Sequence, residues 1–116
     1  MIEVFKEFTF DAAHFLPNVP AGHKCAAMHG HTYRVKFGVA GPIDPHTGFV
    51  IDFGDLKAAV KPFIDMLDHS IINNAIENPT CENLAEYLWE AINLDFSFIE
   101  VWETPTSGCV KRAVSG

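Results

Sequence analysis

His29 and His31, in the stretch HKCAAMHGHTYRV (residues 23–35), stand two apart directly ahead of a strictly alternating run. Tyr33, Val35, Phe37 and Val39 alternate with Arg34, Lys36, Gly38 and Ala40, the period-two pattern of a strand with one buried face. Counted back, both histidines fall on the buried side. A buried imidazole costs stability unless something satisfies it, and one metal ion would satisfy both. Residues two apart on a strand share a face, so the pair can chelate a single ion. Catalytic zinc takes three protein ligands and keeps its fourth position open. His14, in FDAAHFLP just past the end of the first expected strand, is the candidate for the third ligand.

Cys25 lies four residues ahead of His29 and admits three readings: a small buried thiol, a fourth ligand closing a structural His3Cys site, or a base or nucleophile. Composition does not choose among them. Cys81 and Cys109 have no partner in sequence and read as packing residues. Asp68 and His69, in LDHSIIN, can pair a carboxylate with an imidazole, which makes a competent proton shuttle if the chain folds them onto the histidine cluster. Glu103 shares the parity of Ile99 and Val101 and so points inward at a strand end. An inward carboxylate needs a donor, either a Lys or Arg or a ligand carrying an N–H pair. His23 and His46 lie in loops and carry no assignment.

These residues must be positioned by a small set of elements. Residues 2–10 read as a first strand, 11–28 as a long loop punctuated by Pro17, Pro20 and Gly22, and 29–41 as a second strand. A turn-rich stretch returns to a short extended piece at 49–51. Asp52 can cap a helix with Leu56, Val60, Phe63, Ile64 and Leu67 at helical spacing, and Pro62 within it predicts a kink or a late start. Thr80 is an N-cap for a second helix carrying Leu84, Ala85, Leu88, Trp89 and Ile92. FSFIEVWET and CVKRAV are the last two strands. The order predicts an α+β fold, a mostly antiparallel sheet with two helices on one face. A sheet this small leaves edges that neighbouring subunits often cover.

The 116 residues suit one domain, 1–116, with enough apolar content (48%) for a core without staples. A formal net charge of −7 argues against nucleic-acid binding, which rests on phosphate neutralisation, although Lys24, Arg34 and Lys36 lie beside the histidines. No apolar run reaches membrane-span length, and MIEVFKEFTF lacks a signal-peptide layout. Three cysteines, an odd count, favour a reducing compartment, so the expected location is cytoplasmic.

FDAAHFLP, CAAMHGH, VIDFGDLK, LDH, NPTCENLAEYLW and VWETPTSG, in that order, resemble the 6-pyruvoyl-tetrahydropterin synthase / QueD family across nearly the whole chain. Three residues between the cysteine and HGH resemble its 6-carboxy-5,6,7,8-tetrahydropterin synthase branch. The resemblance implies the tunnelling (T-) fold, whose sheets join across subunits into a barrel, commonly a homohexamer built as a dimer of trimers with sites between chains. It implies zinc on His14, His29 and His31, Cys25 as the catalytic thiol, and Asp68 with His69 as a second acid/base unit. Glu103 would anchor a pterin ring, with Thr80 and Thr104 nearby. The implied reaction converts 7,8-dihydroneopterin triphosphate to 6-carboxytetrahydropterin with loss of acetaldehyde and triphosphate, a step toward queuosine. Two departures stand out: the compact chain implies a shortened phosphate-contacting loop, and SIINN carries no aromatic after the Asp-His pair. The rivals are the pyruvoyl-forming synthase on the same scaffold and a non-catalytic zinc protein closed by Cys25. A generic metal hydrolase is weaker, because no H-E-x-x-H is present.

Overall fold

The alternation of β1 (Ile2–His14) and β2 (His29–Gly41) is realised as one antiparallel ladder, in register from Ile2 opposite Gly41 to His14 opposite His29. The computed structural model describes residues 1–114. α1 (Phe53–Leu67), β3 (Ser70–Ile71), α2 (Cys81–Ala91), β4 (Phe98–Thr104) and β5 (Ser107–Arg112) follow, giving a sheet of order β3-β1-β2-β4-β5. Every pairing is antiparallel except β3 on β1. The expected α+β architecture is present, with one parallel edge strand that two residues could not announce by periodicity.

Both helices cover the same sheet face. Phe10, Tyr33, Val35, Phe37, Ile99 and Val101 from the sheet form one buried cluster with Leu56, Val60 and Ile64 of α1 and Leu84 and Leu88 of α2. Burying side chains of this size stabilises by about 1.5–3 kcal/mol each, which holds the helix ends in place. Asp52 caps α1, its carboxylate accepting from the Gly54 N–H at 2.8 Å. The helix begins there without a late start and continues through Pro62, which lies on the exposed face. Thr80 caps α2 by accepting from the Asn83 N–H at 3.0 Å. No helix among the described residues is long and apolar enough to cross a membrane.

Two sequence expectations differ from the structure. Residues 11–14 belong to β1, not to a loop, because β2 pairs one side of this segment and β3 pairs Ala12 and Ala13 on the other. Residues 49–51, expected as a short extended piece, bend at 50–51 and join no sheet. The loop closes on itself, with the Asp44 N–H bonded to Phe49 O and the Gly48 N–H to Asp44 O, each at 2.8 Å, so no sheet partner is needed. Gly48 supplies the positive φ (80°) that turn requires.

Gly38 faces the Phe98 ring, which a Cβ at that position would overlap. Gly38→Ala should therefore lower the unfolding free energy by about 1–3 kcal/mol, measured by urea denaturation. A change within experimental error would show that Phe98 repacks freely.

Candidate metal centre and active site

The ladder register gathers the histidines. His14 and His29 face each other on the last rung, and His31 stands opposite Ala12 on the same face. One donor nitrogen from each of His14, His29 and His31 lies within 4.8 Å of the others. His14 is fully buried.

Backbone carbonyls set the ring orientations. His14 Nδ1 lies 2.7 Å from Pro79 O, and His29 Nδ1 lies 2.8 Å from Ala27 O. A carbonyl only accepts, so both Nδ1 atoms carry the proton and donate. In the neutral rings, each Nε2 then presents a lone pair, and the two Nε2 atoms stand 3.0 Å apart. Facing lone pairs repel, and a shared cation converts that repulsion into coordination. Two nitrogens bound tetrahedrally to one zinc lie about 3.3 Å apart, so the His14–His29 pair matches such an ion, with His31 within 4.8 Å as the third donor. Burial holds the His31 pKa below the usual imidazole value, opposed by Glu103 and reinforced by His14 and His29, which keeps the ring in its ligating neutral form.

Glu103 Oε1 lies 3.5 Å from His14 Nε2, with the side chain about a quarter exposed (26%). No Lys or Arg pairs with it among the described residues, so the ordinary structural explanation of this inward carboxylate does not apply. It borders a hollow of about 410 Å³ with Cys25, His29, His31 and Thr104. His31, Glu103 and Thr104 also border a hollow of about 590 Å³ that reaches Arg34 and Trp102 on the other sheet face, just past the last β2–β4 pair, Arg34 with Trp102. Cys25 is half-buried and free, and its sulfur is not among the grouped donor atoms. That geometry favours an open three-histidine site over one closed by cysteine.

Asp68 and His69 lie on another side of His31. His69 borders a hollow of about 560 Å³ with Asp11, Gly30 and His31. Asp68 accepts from the Asp11 N–H at 3.0 Å and pairs with His69 Nδ1 at 2.9 Å. The Asp11 N–H, followed by the His69 contacts, holds the Asp68 carboxyl below the usual range, so it stays ionised. His69 has a positive φ (58°), a strained value for a non-glycine residue, held by its N–H bond to Asp11 O at 2.6 Å. The exposed ring thus has one nitrogen committed to a carboxylate and one facing outward. Cys25 and His69 reach His31 from different hollows and do not touch each other.

Three supports escape sequence reading. The Pro79 carbonyl orients His14, and a backbone group carries no residue signature. His23 accepts from the Cys25 N–H at 3.0 Å, capping the 3-10 turn that presents the thiol. Tyr33, which reads as plain core, brings its hydroxyl within 3.2 Å of His14 Nδ1. Burial, with a smaller push from Glu103, keeps Tyr33 a neutral phenol. The Thr80 hydroxyl is occupied by its cap and borders none of the three hollows.

Comparison with known proteins places this geometry in context. The 6-carboxy-5,6,7,8-tetrahydropterin synthase of Haemophilus influenzae is 34% identical over an alignment of 141 residues, covering 94% of this chain and 97% of that protein. The Synechocystis protein of the same name is 37% identical, covering 90% and 88%. The structure of Caenorhabditis elegans 6-pyruvoyl tetrahydropterin synthase superposes with a TM-score of 0.86 at 25% identity, covering 97% and 96%. Residues 3–113 match the 6-pyruvoyl tetrahydropterin synthase description, and the chain belongs to that family.

Proposed function

We propose that the protein is a zinc-dependent 6-carboxy-5,6,7,8-tetrahydropterin synthase, converting 7,8-dihydroneopterin triphosphate to 6-carboxytetrahydropterin with release of acetaldehyde and triphosphate. The observation that carries this reading is the convergence of His14, His29 and His31 beside a hollow that also holds Cys25 and Glu103. The names of the relatives supply the product class, a carboxylated tetrahydropterin. Zinc held by the three histidines would supply Lewis-acid polarisation of substrate hydroxyls.

The chain's own residues divide the remaining work. Glu103 has no Lys or Arg partner among the described residues and can accept two parallel hydrogen bonds from the N–H/NH2 edge of a pterin. Cys25 moves a proton on one side of the substrate side chain. On the other side, His69 takes or gives a proton at Nε2 while Asp68 holds Nδ1. Thr104, on the rim of two hollows, completes the substrate contacts in this reading, whereas the Thr80 hydroxyl stays committed to capping α2. The β5 edge leaves backbone groups unpaired within the chain, which supports a working oligomer, a hexamer of two trimers whose sheets close into a barrel. The cytoplasm is its proposed location.

The rival is a pyruvoyl-forming synthase on the same scaffold, which would share the metal and most residue roles, so the product decides. Incubation with dihydroneopterin triphosphate should give a product with the mass of 6-carboxytetrahydropterin, together with acetaldehyde. A pyruvoyl product, or no turnover by zinc-loaded protein, overturns the assignment.

The residue roles make separate predictions. His29→Ala/His31→Ala should lose its zinc by elemental analysis, and full occupancy in that variant would sink the three-histidine site. Cys25→Ala should keep zinc and fold but lose turnover by roughly 100-fold or more. Loss of zinc in Cys25→Ala would instead mark the thiol as a ligand. Glu103→Gln should weaken pterin binding roughly 10- to 100-fold, or ~1.5–3 kcal/mol, with zinc content and sedimentation unchanged. Unaltered affinity by titration would refute the anchor.

A further inference from the structure

Cys81 and Cys109 read from sequence as unrelated packing residues, yet their sulfurs meet at 3.3 Å. Cys81 is the first residue of α2, one past the Thr80 cap and two past Pro79, whose carbonyl orients His14. Cys109 lies on β5 opposite Val101, and the Cys81 thiol also donates to Val101 O at 3.3 Å. A disulfide bond is ~2.05 Å long, so closure asks for little more than about 1 Å of approach. We propose that Cys81 and Cys109 form a redox-closed staple: a small-molecule disulfide converts them to an intramolecular disulfide that ties the start of α2 to β5.

Access gives the order of events. Cys109 is half-buried and borders a hollow of about 290 Å³ with Glu82, Glu86 and Lys111, whereas Cys81 is only 7% exposed. The Cys109 thiol loses its proton, and its thiolate attacks one sulfur of the reagent R–S–S–R, expelling one RS⁻. The Cys81 thiol, deprotonated in turn, attacks the Cys109 sulfur of that mixed disulfide and expels the second RS⁻. The protein loses two hydrogens, and the reagent is reduced to two thiols. Burial pushes both protein thiols up from their ordinary pKa, so each is a slow nucleophile and proximity drives the second step. Lys111 pairs with Glu86 at 2.9 Å, so Glu82 carries the excess negative charge at the mouth, which favours a cationic reagent over an anionic one. The closed staple would fix the segment that presents the Pro79 carbonyl to His14. It does not depend on the reaction proposed above.

The test uses the reduced full-length protein and cystamine, with oxidised glutathione as the anionic comparison. Intact mass should show the loss of two hydrogens, and peptide mapping should recover a Cys81–Cys109 link. The melting temperature should rise by roughly 5–15 °C, and cystamine should act faster than oxidised glutathione. Cys109→Ser and, separately, Cys109→Ala should show neither link nor rise, while Cys25→Ser should show both. A cystamine adduct that persists on Cys109, a link through Cys25, or an unchanged melting temperature after closure overturns the staple.

Discussion

Two backbone carbonyls, those of Pro79 and Ala27, take the Nδ1 protons of His14 and His29 and so turn both Nε2 lone pairs toward the same point. Much of the molecule serves that arrangement. The β1–β2 ladder must stay in register to its final rung for the two rings to face each other. A slip of one residue would turn a strand's side chains to the opposite face. Pro79 must sit against His14, which requires α2 to begin at the Thr80 cap and to be anchored by Leu84 and Leu88 in the core. Such outer hydrogen bonds fix both the tautomer and the direction of a ligating imidazole.

The inward phase of His29 and His31 is legible in the sequence because Tyr33 to Val39 alternate without exception and the count runs back unbroken. The place of His14 on a strand is not legible. Ala12 and Ala13 are weak strand formers, and their backbone is held by residues 30–31 and 70–71, far along the chain. The contact between Cys81 and Cys109 arises only when α2 packs across β4 and β5, and no local pattern encodes it. At 49–51 the extended piece joins no sheet, because Asp44 closes the preceding loop through the Gly48 N–H, the Phe49 carbonyl and its own carboxylate. The inward direction of Glu103 follows from parity alone, whereas the absence of a Lys or Arg partner among the described residues is visible only in the fold.

The charges around the cluster form a consistent set. Burial keeps His31 neutral and Tyr33 protonated, while the Asp11 N–H keeps Asp68 ionised. The cluster therefore offers a neutral His31 ring to a cation, and the His69 side offers an ionised carboxylate. Positive charge stays at the rims, where Lys24 borders the Cys25 hollow and Arg34 stacks over Trp102 at 4.7 Å. A chain of net charge −7 thus keeps local cations beside the site.

X-ray absorption at the zinc edge of the purified protein tests the central geometry most directly. The account predicts only nitrogen and oxygen neighbours at about 2.0–2.2 Å, with imidazole scattering from three rings. A sulfur neighbour at about 2.3 Å would make Cys25 a ligand and contradict the open three-histidine site.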